Sequence, residues 1–277
     1  MTNILNKIIA HKHKEVANNK ARYPIKLLED SIYFETPTVS LSKYILREDK
    51  SGIIAEFKRH SPSKGDINPY ASVEEVTIGY MQAGAAALSI LTDNHFFKGK
   101  NEDLKEARKF NYCPILRKDF VIDEYQILEA KSIGADAILL IAACLEKKQL
   151  DDLLVFAQSL DLEVLVELHG KEDLPKLGAK ANVVGVNNRD LKTFEVNIQH
   201  SIQLFEDLPK EMVKISESGI NNPNAIVTLK EAGFQGFLIG EYFMKDDHPW
   251  QKCREFIDRI QRMEQLLDGA IAKDIKA

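Results

Sequence analysis

Eight short apolar segments alternate with stretches of helical periodicity along most of this 277-residue chain. The segments are rich in Ile, Leu and Val and are mostly continuous, which is typical of parallel strands buried on both faces. They are Gly52–Phe57, Ala86–Leu91, Pro114–Arg117, Asp136–Ala142, Leu162–Leu168, Val183–Asn187, Val213–Ser218 and Gly236–Gly240. The helical stretches are Val73–Ala83, Glu102–Phe110, Glu124–Ile133, Glu146–Leu160, Lys171–Leu177, Val196–Phe205, Asn224–Ala232 and Pro249–Leu267. Eight strands, each followed by a helix, predict a single (β/α)8 TIM barrel of the α/β class.

Local signals at the helix ends support this architecture. Asp123 and the pair Asn222-Pro223 are typical helix starts. Four glycines stand where a left-handed residue would end a helix shortly before a strand, namely Gly84, Gly134, Gly178 and Gly233. A doubly wound open sheet would also alternate strands and helices. It more often carries a glycine-rich fingerprint after its first strand, and the sequence contains no G-x-G-x-x-G.

The first 50 residues precede the first predicted strand. Within Asn3–Ala17, apolar residues recur on roughly one helical face, which predicts a helix that packs on the barrel. We therefore expect residues 1–50 to be a helical extension covering the catalytic rim. Residues 51–277 are expected to form the catalytic barrel, with one structural domain overall. The basic residues of this extension are predicted to lie on a solvated face, and they are Lys7, His11, Lys12, His13 and Lys14.

Composition excludes several classes of protein. With 44% hydrophobic and 29% charged residues, the chain is neither disordered nor a fibrous repeat. A net charge of −5 gives no basic excess for nucleic acid. Cys113, Cys144 and Cys253 are scattered, so we expect neither disulfides nor a metal site. The longest apolar run, Ala137–Leu145, is too short to span a membrane. We predict a cytoplasmic protein without a nucleic-acid or membrane partner.

Charged and amide side chains stand at the ends of several predicted strands. In the first strand, the two-residue period places Glu56 and Lys58 on one face. Further strands end in Lys118, Glu167, Asn187-Asn188-Arg189 and Glu217. Active sites of (β/α)8 barrels lie at the carboxyl ends of the strands, so closure of the sheet would bring these groups together.

Each of these residues also has a less specific interpretation. A single charge after a strand more often begins a solvated loop, and only the coincidence over several strands favours a site. Asp119 is expected to be structural, and Glu167 beside His169 could belong to an exposed turn. His169, His200 and His248 are isolated in the sequence and are predicted to have surface or loop roles.

Three loops have the composition of a phosphate site. Barrels often hold phosphate in the loops after strands 7 and 8, which here read Ser218-Gly219-Ile220 and Ile239-Gly240-Glu241. Glycine lets backbone N–H groups approach an anion, and a following helix N-terminus adds a favourable dipole. The loop Ser61-Pro62-Ser63-Lys64-Gly65 after the first strand adds hydroxyl groups and a positive charge.

The motifs at these strand ends resemble those of the indole-3-glycerol-phosphate synthase family. The similarity covers essentially the whole chain, and its most specific motif is Glu56-Phe57-Lys58-Arg59-His60-Ser61-Pro62-Ser63-Lys64-Gly65. Other matching motifs are Ile90-Leu91-Thr92-Asp93, Leu116-Arg117-Lys118-Asp119-Phe120, Val186-Asn187-Asn188-Arg189-Asp190-Leu191 and Ser216-Glu217-Ser218-Gly219-Ile220. His60 and Lys100 depart from the family pattern, which has a small residue or Lys at the first position and Ser at the second.

The resemblance implies a lyase of tryptophan biosynthesis. It would convert 1-(2-carboxyphenylamino)-1-deoxyribulose 5-phosphate to indole-3-glycerol phosphate, CO2 and water. By this resemblance, Lys118 protonates the ketone oxygen during ring closure. Glu167 and Lys58 supply the acid and the base of dehydration, and their division of labour stays open. Glu56 would orient Lys58.

The resemblance also assigns the substrate contacts. Asn187 and Glu217 would hold substrate hydroxyls or the carboxylate. Arg189, Ser218 and Phe120 would bind the substrate. The phosphate would be bound by Ser61, Gly219, Gly240 and the backbone of Glu241. We expect an anionic sugar phosphate as substrate and no cofactor, and the sequence leaves protein partners open.

Two other functions are compatible with a phosphate-binding barrel. A sugar-phosphate isomerase such as phosphoribosylanthranilate isomerase would, by resemblance, need a Cys and Asp pair at strand ends. Cys113 precedes the third strand and Cys144 begins a helix, so neither cysteine suits that role. A non-catalytic phosphate-binding barrel would need only the glycine loops and not the charged strand ends.

Overall fold

Eight parallel strands form the centre of the molecule. The computed structural model describes residues 4–178, 181–190 and 193–274, with side chains described up to residue 267. The strands are β1 (Ile53–Phe57), β2 (Ala87–Leu91), β3 (Ile115–Lys118), β4 (Ala137–Ile141), β5 (Glu163–Leu168), β6 (Val183–Asn187), β7 (Val213–Glu217) and β8 (Gly236–Ile239). All eight predicted strands are confirmed, and their ends differ from the prediction by no more than one residue.

The sheet closes on itself. Each strand pairs in parallel with the next along the chain, and β8 pairs with β1 through Ile53 opposite Phe237 and Ala55 opposite Ile239. The predicted (β/α)8 TIM barrel is therefore confirmed. Because every strand runs the same way, all the carboxyl ends meet at one rim, where active sites of such barrels lie.

Helices surround the barrel. Those of the described residues are α1 (Ile4–Arg22), α2 (Ile25–Glu29), α3 (Leu41–Ile45), α4 (Val73–Gln82), α5 (Asn101–Phe110), α6 (Glu124–Ser132), α7 (Lys147–Ser159), α8 (Gln199–Leu204), α9 (Pro223–Glu231), α10 (Glu241–Met244) and α11 (Pro249–Asp274). The predicted starts at Asp123 and Asn222 are confirmed, because each side chain accepts a hydrogen bond from a backbone N–H of the first helical turn.

Helix ends follow the glycine prediction at three of four positions. Gly84, Gly134 and Gly233 adopt positive φ angles of 98°, 89° and 104°, as expected for left-handed helix ends. The prediction at Gly178 is wrong. The preceding segment is a 3-10 helix, Lys171–Lys176, which the chain leaves through an extended Leu177, so no left-handed residue is needed. Pro175 inside this segment explains why the predicted α-helix does not form.

The strands pack on both faces. One buried apolar cluster lies between the barrel and the surrounding helices, and a second fills the barrel interior with side chains such as Leu116, Leu165 and Ile215. Leu41 and Ile45 of α3 belong to this interior cluster and pack with the first residues of several strands. Helix α3 therefore closes the amino end of the barrel. This corrects the expectation for that part of residues 1–50, because α3 does not lie at the carboxyl rim.

One lysine of α1 is buried, contrary to the expectation of a solvated basic face. Lys12 has no exposed surface. Its Nζ lies 2.7 Å from Asp119 Oδ1, 3.0 Å from Asp93 Oδ2 and 2.8 Å from Glu15 Oε1. Sequence periodicity could not show this, because the carboxylates that neutralise Lys12 follow β2 and β3. The structural role predicted for Asp119 agrees with these contacts.

No helix in the described ranges is both long enough and apolar enough to cross a membrane.

Candidate active site

A cavity of about 840 Å³ opens at the carboxyl ends of the strands. All of the predicted site residues line it. They are Glu56, Lys58, Ser61, Lys118, Phe120, Glu167, Asn187, Arg189, Glu217, Ser218, Gly219, Gly240 and Glu241. His60 and Lys100 are not among the described residues that line it, and His60 instead pairs with Asp66 at 2.8 Å. Closure of the sheet thus brings strand ends that are far apart in the chain around one space.

A lysine and two carboxylates form the centre of this cavity. Nζ of Lys118, at the end of β3, lies 3.0 Å from Oε2 of Glu167 and 3.3 Å from Oε2 of Glu217. Burial alone would lower the pKa of the Lys118 ammonium, but Glu167, Glu217 and Glu56 raise it well above its usual range. Lys118 therefore stays protonated at neutral pH and can act as an acid.

The two carboxylates differ in ionisation. Burial opposes the charge on Glu167, but Lys118 and a hydrogen bond from His169 hold the pKa of Glu167 well below its usual range. Burial and the neighbouring Glu167 outweigh Lys118 at Glu217 and raise its pKa to about 8. One cation cannot neutralise two buried carboxylates, so one of them keeps a proton. Because His169 donates to Glu167, the proton is favoured on Glu217.

A second lysine and carboxylate lie beside this centre. Nζ of Lys58, just after β1, is 2.7 Å from Oε1 of Glu56, which is almost fully buried. The hydroxyl of Ser89 lies 3.4 Å from the other Glu56 oxygen. The predicted pairing of Glu56 with Lys58 is therefore present, and it keeps the Lys58 ammonium at the cavity wall.

His169 is a site residue that the sequence reasoning missed. Its Nε2 lies 2.7 Å from Oε1 of Glu167, and its ring is largely buried against the cavity. The predicted surface role of His169 is wrong, and so is the alternative that Glu167 belongs to an exposed turn, because Glu167 is only 3% exposed. The available signal was the two-residue spacing, since positions i and i+2 of a strand end share a face.

Backbone geometry forms a concave end of the cavity at the loops after β7 and β8. Ser218 and Gly219 both adopt left-handed conformations, with φ angles of 69° and 74°. The side-chain amide of Asn188 donates to the Ser218 carbonyl at 3.1 Å and holds this turn. At Gly240, a Cβ would lie 2.5 Å from Oε1 and 2.9 Å from Cβ of Glu56, so a larger residue would displace Glu56. Such glycine turns let N–H groups approach an anion.

Positive charge gathers at the same end. Burial opposes the charge on Glu241, but Lys245, Lys64 and Lys58 lower the pKa of this carboxyl. Arg189 lies 3.5 Å from the same carboxylate through Nη2. Lys245 was not predicted, although its spacing of four residues from Glu241 places both on one face of a helical turn.

The opposite wall is apolar. Phe120 and Phe97 lie with ring centroids 6.0 Å apart, and both line the cavity. Ile4, Leu5 and Ile8 of α1 extend this surface. Phe97 and the α1 residues were missed because apolar side chains in a loop or on a helix look like ordinary core residues. The wall suits a flat aromatic group, while the other end suits an anion.

Among the described residues, no group of three or more His, Cys, Asp or Glu side chains could hold a metal ion.

Solved structures share the fold. A chain of the tryptophan synthase a2b2 complex from Pyrococcus furiosus aligns with a TM-score of 0.55 and 15% identity, covering 76% of this chain and 98% of that chain. Thiamine phosphate pyrophosphorylase from Pyrococcus furiosus aligns with a TM-score of 0.55 and 14% identity, covering 76% and 95%. At these identities the likeness concerns the fold alone.

Similarity in sequence is far more specific. The family model described as indole-3-glycerol phosphate synthase matches residues 5–256. The indole-3-glycerol phosphate synthase of Bacteroides thetaiotaomicron is 47% identical over 261 residues, covering 94% of this chain and 100% of that protein. The enzyme of the same name from Polaromonas naphthalenivorans is 40% identical over 253 residues, covering 90% and 96%. The chain therefore belongs to the indole-3-glycerol phosphate synthase family.

Proposed function

We propose that this chain is a carboxy-lyase of tryptophan biosynthesis that forms indole-3-glycerol phosphate from 1-(2-carboxyphenylamino)-1-deoxyribulose 5-phosphate. The observation that carries the proposal is the Lys118 ammonium between two buried carboxylates, in a cavity with an aromatic wall and a glycine-lined cationic end. This arrangement matches an elongated substrate with a carboxyphenyl group at one end and a phosphate at the other.

Lys118 is the general acid of ring closure. The aromatic carbon attacks the ketone carbon, and the ketone oxygen takes a proton from the Lys118 ammonium. The new bond interrupts the aromatic system, which regains its electron pair when the carboxylate leaves as CO2. A positive charge at Lys118 also stabilises the developing oxyanion, in a site where burial strengthens the interaction.

Glu167 and Lys58 complete the dehydration. Because Glu167 is held ionised, it is suited to take the proton that the intermediate loses. Lys58, paired with Glu56, is suited to protonate the departing hydroxyl, which leaves as water. We propose this assignment for the division of roles that the sequence left open. Protonated Glu217 and Asn187 can hold substrate hydroxyls.

The phosphate binds at the concave end. The Ser61 hydroxyl and the backbone N–H groups at Gly219, Gly240 and Glu241 are its ligands in this proposal. Glu241 begins α10, so its N–H has no partner within the helix. Arg189 and Ser218 contact the neighbouring part of the substrate, and Phe120 packs on the carboxyphenyl ring.

Residues 4–22 act as a cover in this scheme. Ile4, Leu5 and Ile8 of α1 line the cavity, so the helix can exclude water from the aryl end of the substrate. The substrate is a small phosphorylated molecule, and we propose that the enzyme works in the cytoplasm without a nucleic-acid or membrane partner.

Replacement of the proposed acid tests the mechanism. We expect Lys118→Ala to lower kcat by about 10²–10⁴-fold, the usual contribution of a positioned acid, while circular dichroism and Tm show a folded protein. Lys148→Ala, at an exposed lysine of α7, is the matched control and should leave kcat unchanged. Product formation is followed by the indole absorbance. A near-normal kcat in Lys118→Ala would remove Lys118 from the mechanism.

The same assay addresses an isomerase activity. Within the described part of the chain, no cysteine lines the cavity. Burial also raises the pKa of the Cys144 thiol to about 12, which makes it a poor acid or base at neutral pH. An isomerase would release neither CO2 nor an indole chromophore from the substrate.

A further inference from the structure

His169 stands between the active-site cavity and a second, smaller cavity. Both cavities are lined by His169, Asn187 and Arg189. On the active-site side, Nε2 of His169 lies 2.7 Å from Oε1 of Glu167. Its Nδ1 is buried and has no hydrogen-bond partner among the described residues. The ring therefore makes one strong polar contact, and that contact is with Glu167.

The backbone of His169 is held from both sides. Its N–H donates to Oδ2 of Asp173 at 2.9 Å, and its carbonyl accepts from Nε2 of His200 at 2.9 Å. Asp173 is buried, and His200 belongs to α8. These contacts come from two different segments. They limit how far the His169 ring can move relative to Glu167.

A contact beyond Lys118 is needed to decide which of Glu167 and Glu217 ionises. Both carboxylates reach Lys118 at similar distances, 3.0 and 3.3 Å, so Lys118 alone does not decide which of them ionises. Glu167 has a second donor in His169, whereas Oε1 of Glu217 has no hydrogen-bond partner among the described residues. A donor to a carboxylate favours its charged form.

We propose that His169 is a positioning residue that makes Glu167, rather than Glu217, the ionised carboxylate beside Lys118 and keeps it aligned as the base. With its proton on Nε2, the ring donates to Glu167 whether it is neutral or charged, because Nδ1 can be protonated or not. The proposal rests on the proposed function for the identity of the base. The contact itself does not depend on the substrate.

Several charged groups surround the ring and enter any pH dependence. Glu167 on β5 accepts its hydrogen bond, and Asp173 and Glu217 are close enough to favour its protonation. Lys118 on β3 faces Glu167. Beyond these, Lys176 lies 3.7 Å from Asp173, His200 donates to the carbonyl, and Arg189 shares both cavities. Replacing the His169 ring changes only the donor to Glu167 directly.

A leucine and a glutamine variant separate the donor from the volume of the ring. In His169→Leu, Glu167 loses its donor, so we expect the acidic limb of the kcat profile to move up by about one pH unit, with kcat reduced and KM little changed. His169→Gln keeps an N–H donor and should move the limb back toward the wild-type position. The exposed His248→Leu is the matched control and should leave the profile unchanged.

The proposal would be overturned if the acidic limb of the kcat profile did not move in His169→Leu. It would also be overturned if the limb in His169→Gln lay at the same pH as in His169→Leu. A second measurement works without turnover. In protein labelled with 13C at glutamate carboxyls, the Glu167 resonance should titrate at higher pH in His169→Leu than in the wild type, and an unchanged titration also overturns the proposal. If the wild type does not convert the arylamino substrate, the proposed function fails, and the titration still decides the role of His169.

Discussion

At the scale of single residues, the site is a problem of charge balance. Lys118 faces two buried carboxylates, and Glu56 lies near enough to raise its pKa further. One proton on Glu217 resolves the excess of negative charge. A carboxyl kept protonated near neutral pH can donate a hydrogen bond to a substrate oxygen, which an ionised carboxylate cannot do.

This proton makes stability depend on pH. Because the pKa of Glu217 is raised from 4.5 to about 8, the folded protein holds a proton there that the unfolded chain has released. The contribution of Glu217 to stability therefore falls as pH rises from about 4.5 to 8. Glutamine does not ionise, so the Tm of Glu217→Gln should exceed that of the wild type by an amount that grows between pH 5 and pH 8. The exposed Glu255→Gln is the control. A Tm difference that is constant across this range would contradict the proton on Glu217.

At the scale of elements, α1 is attached to the barrel by a buried ion cluster. Lys12 joins the helix to Asp93 after β2 and Asp119 after β3, and Asp119 follows Lys118 directly. Burial alone would raise the pKa of Asp119, but Lys12 and Arg117 lower it to about 2. The cluster thus connects the proposed cover of the cavity to the strand that carries the proposed acid.

Replacement of Lys12 should weaken the attachment of α1 to the barrel. In Lys12→Met the buried carboxylates lose a cation, a change that typically costs about 3–5 kcal/mol. Undocking of α1 relieves that cost, so we expect amide hydrogen exchange in α1 to become about 100-fold faster. Lys14→Met, at an exposed position of α1, should have no such effect. Adding Asp119→Asn should partly restore protection, and unchanged exchange in Lys12→Met would show that packing alone holds the helix.

At the scale of the whole molecule, the proposed phosphate ligands lie across the closing seam of the barrel. Ser61 follows β1, Gly219 follows β7 and Gly240 follows β8, while β8 pairs with β1. An anion bound by all three loops would join the first and last strands of the sheet. Ligand binding at this point should therefore stabilise the complete barrel.

Binding of inorganic phosphate tests whether an anion at these three loops stabilises the barrel. At a concentration 100 times its Kd, we expect stabilisation of about 2.7 kcal/mol, measured as a rise in Tm relative to sodium chloride of equal ionic strength. Gly240→Ala should abolish the rise, because the new Cβ would lie 2.5 Å from Oε1 of Glu56. Gly84→Ala also strains its backbone, but its Cβ would come no closer than 3.9 Å to a neighbour, so the rise should persist. A rise that survives in Gly240→Ala would place phosphate elsewhere.

Most of the architecture could be predicted because it depends on local patterns. Continuous apolar segments, helix-start residues such as Asp123 and glycines such as Gly84 act through near neighbours, and a count of eight strands leaves few ways to close a sheet. The same logic places polar side chains at one rim. The 3-10 helix at Lys171–Lys176 shows the limit of this reasoning, because Pro175 overrides an apparently helical pattern.

The amino-acid sequence by itself determined the barrel, the rim and the charged and amide side chains at the strand ends that line the cavity. Only the tertiary structure decided that Lys12 is buried, that α3 closes the far end, that His169 contacts Glu167 and that Glu217 keeps a proton. The physical reason is the same for all four. Burial, ion pairing and pKa depend on partners that are distant in the chain, and closure of the sheet selects those partners.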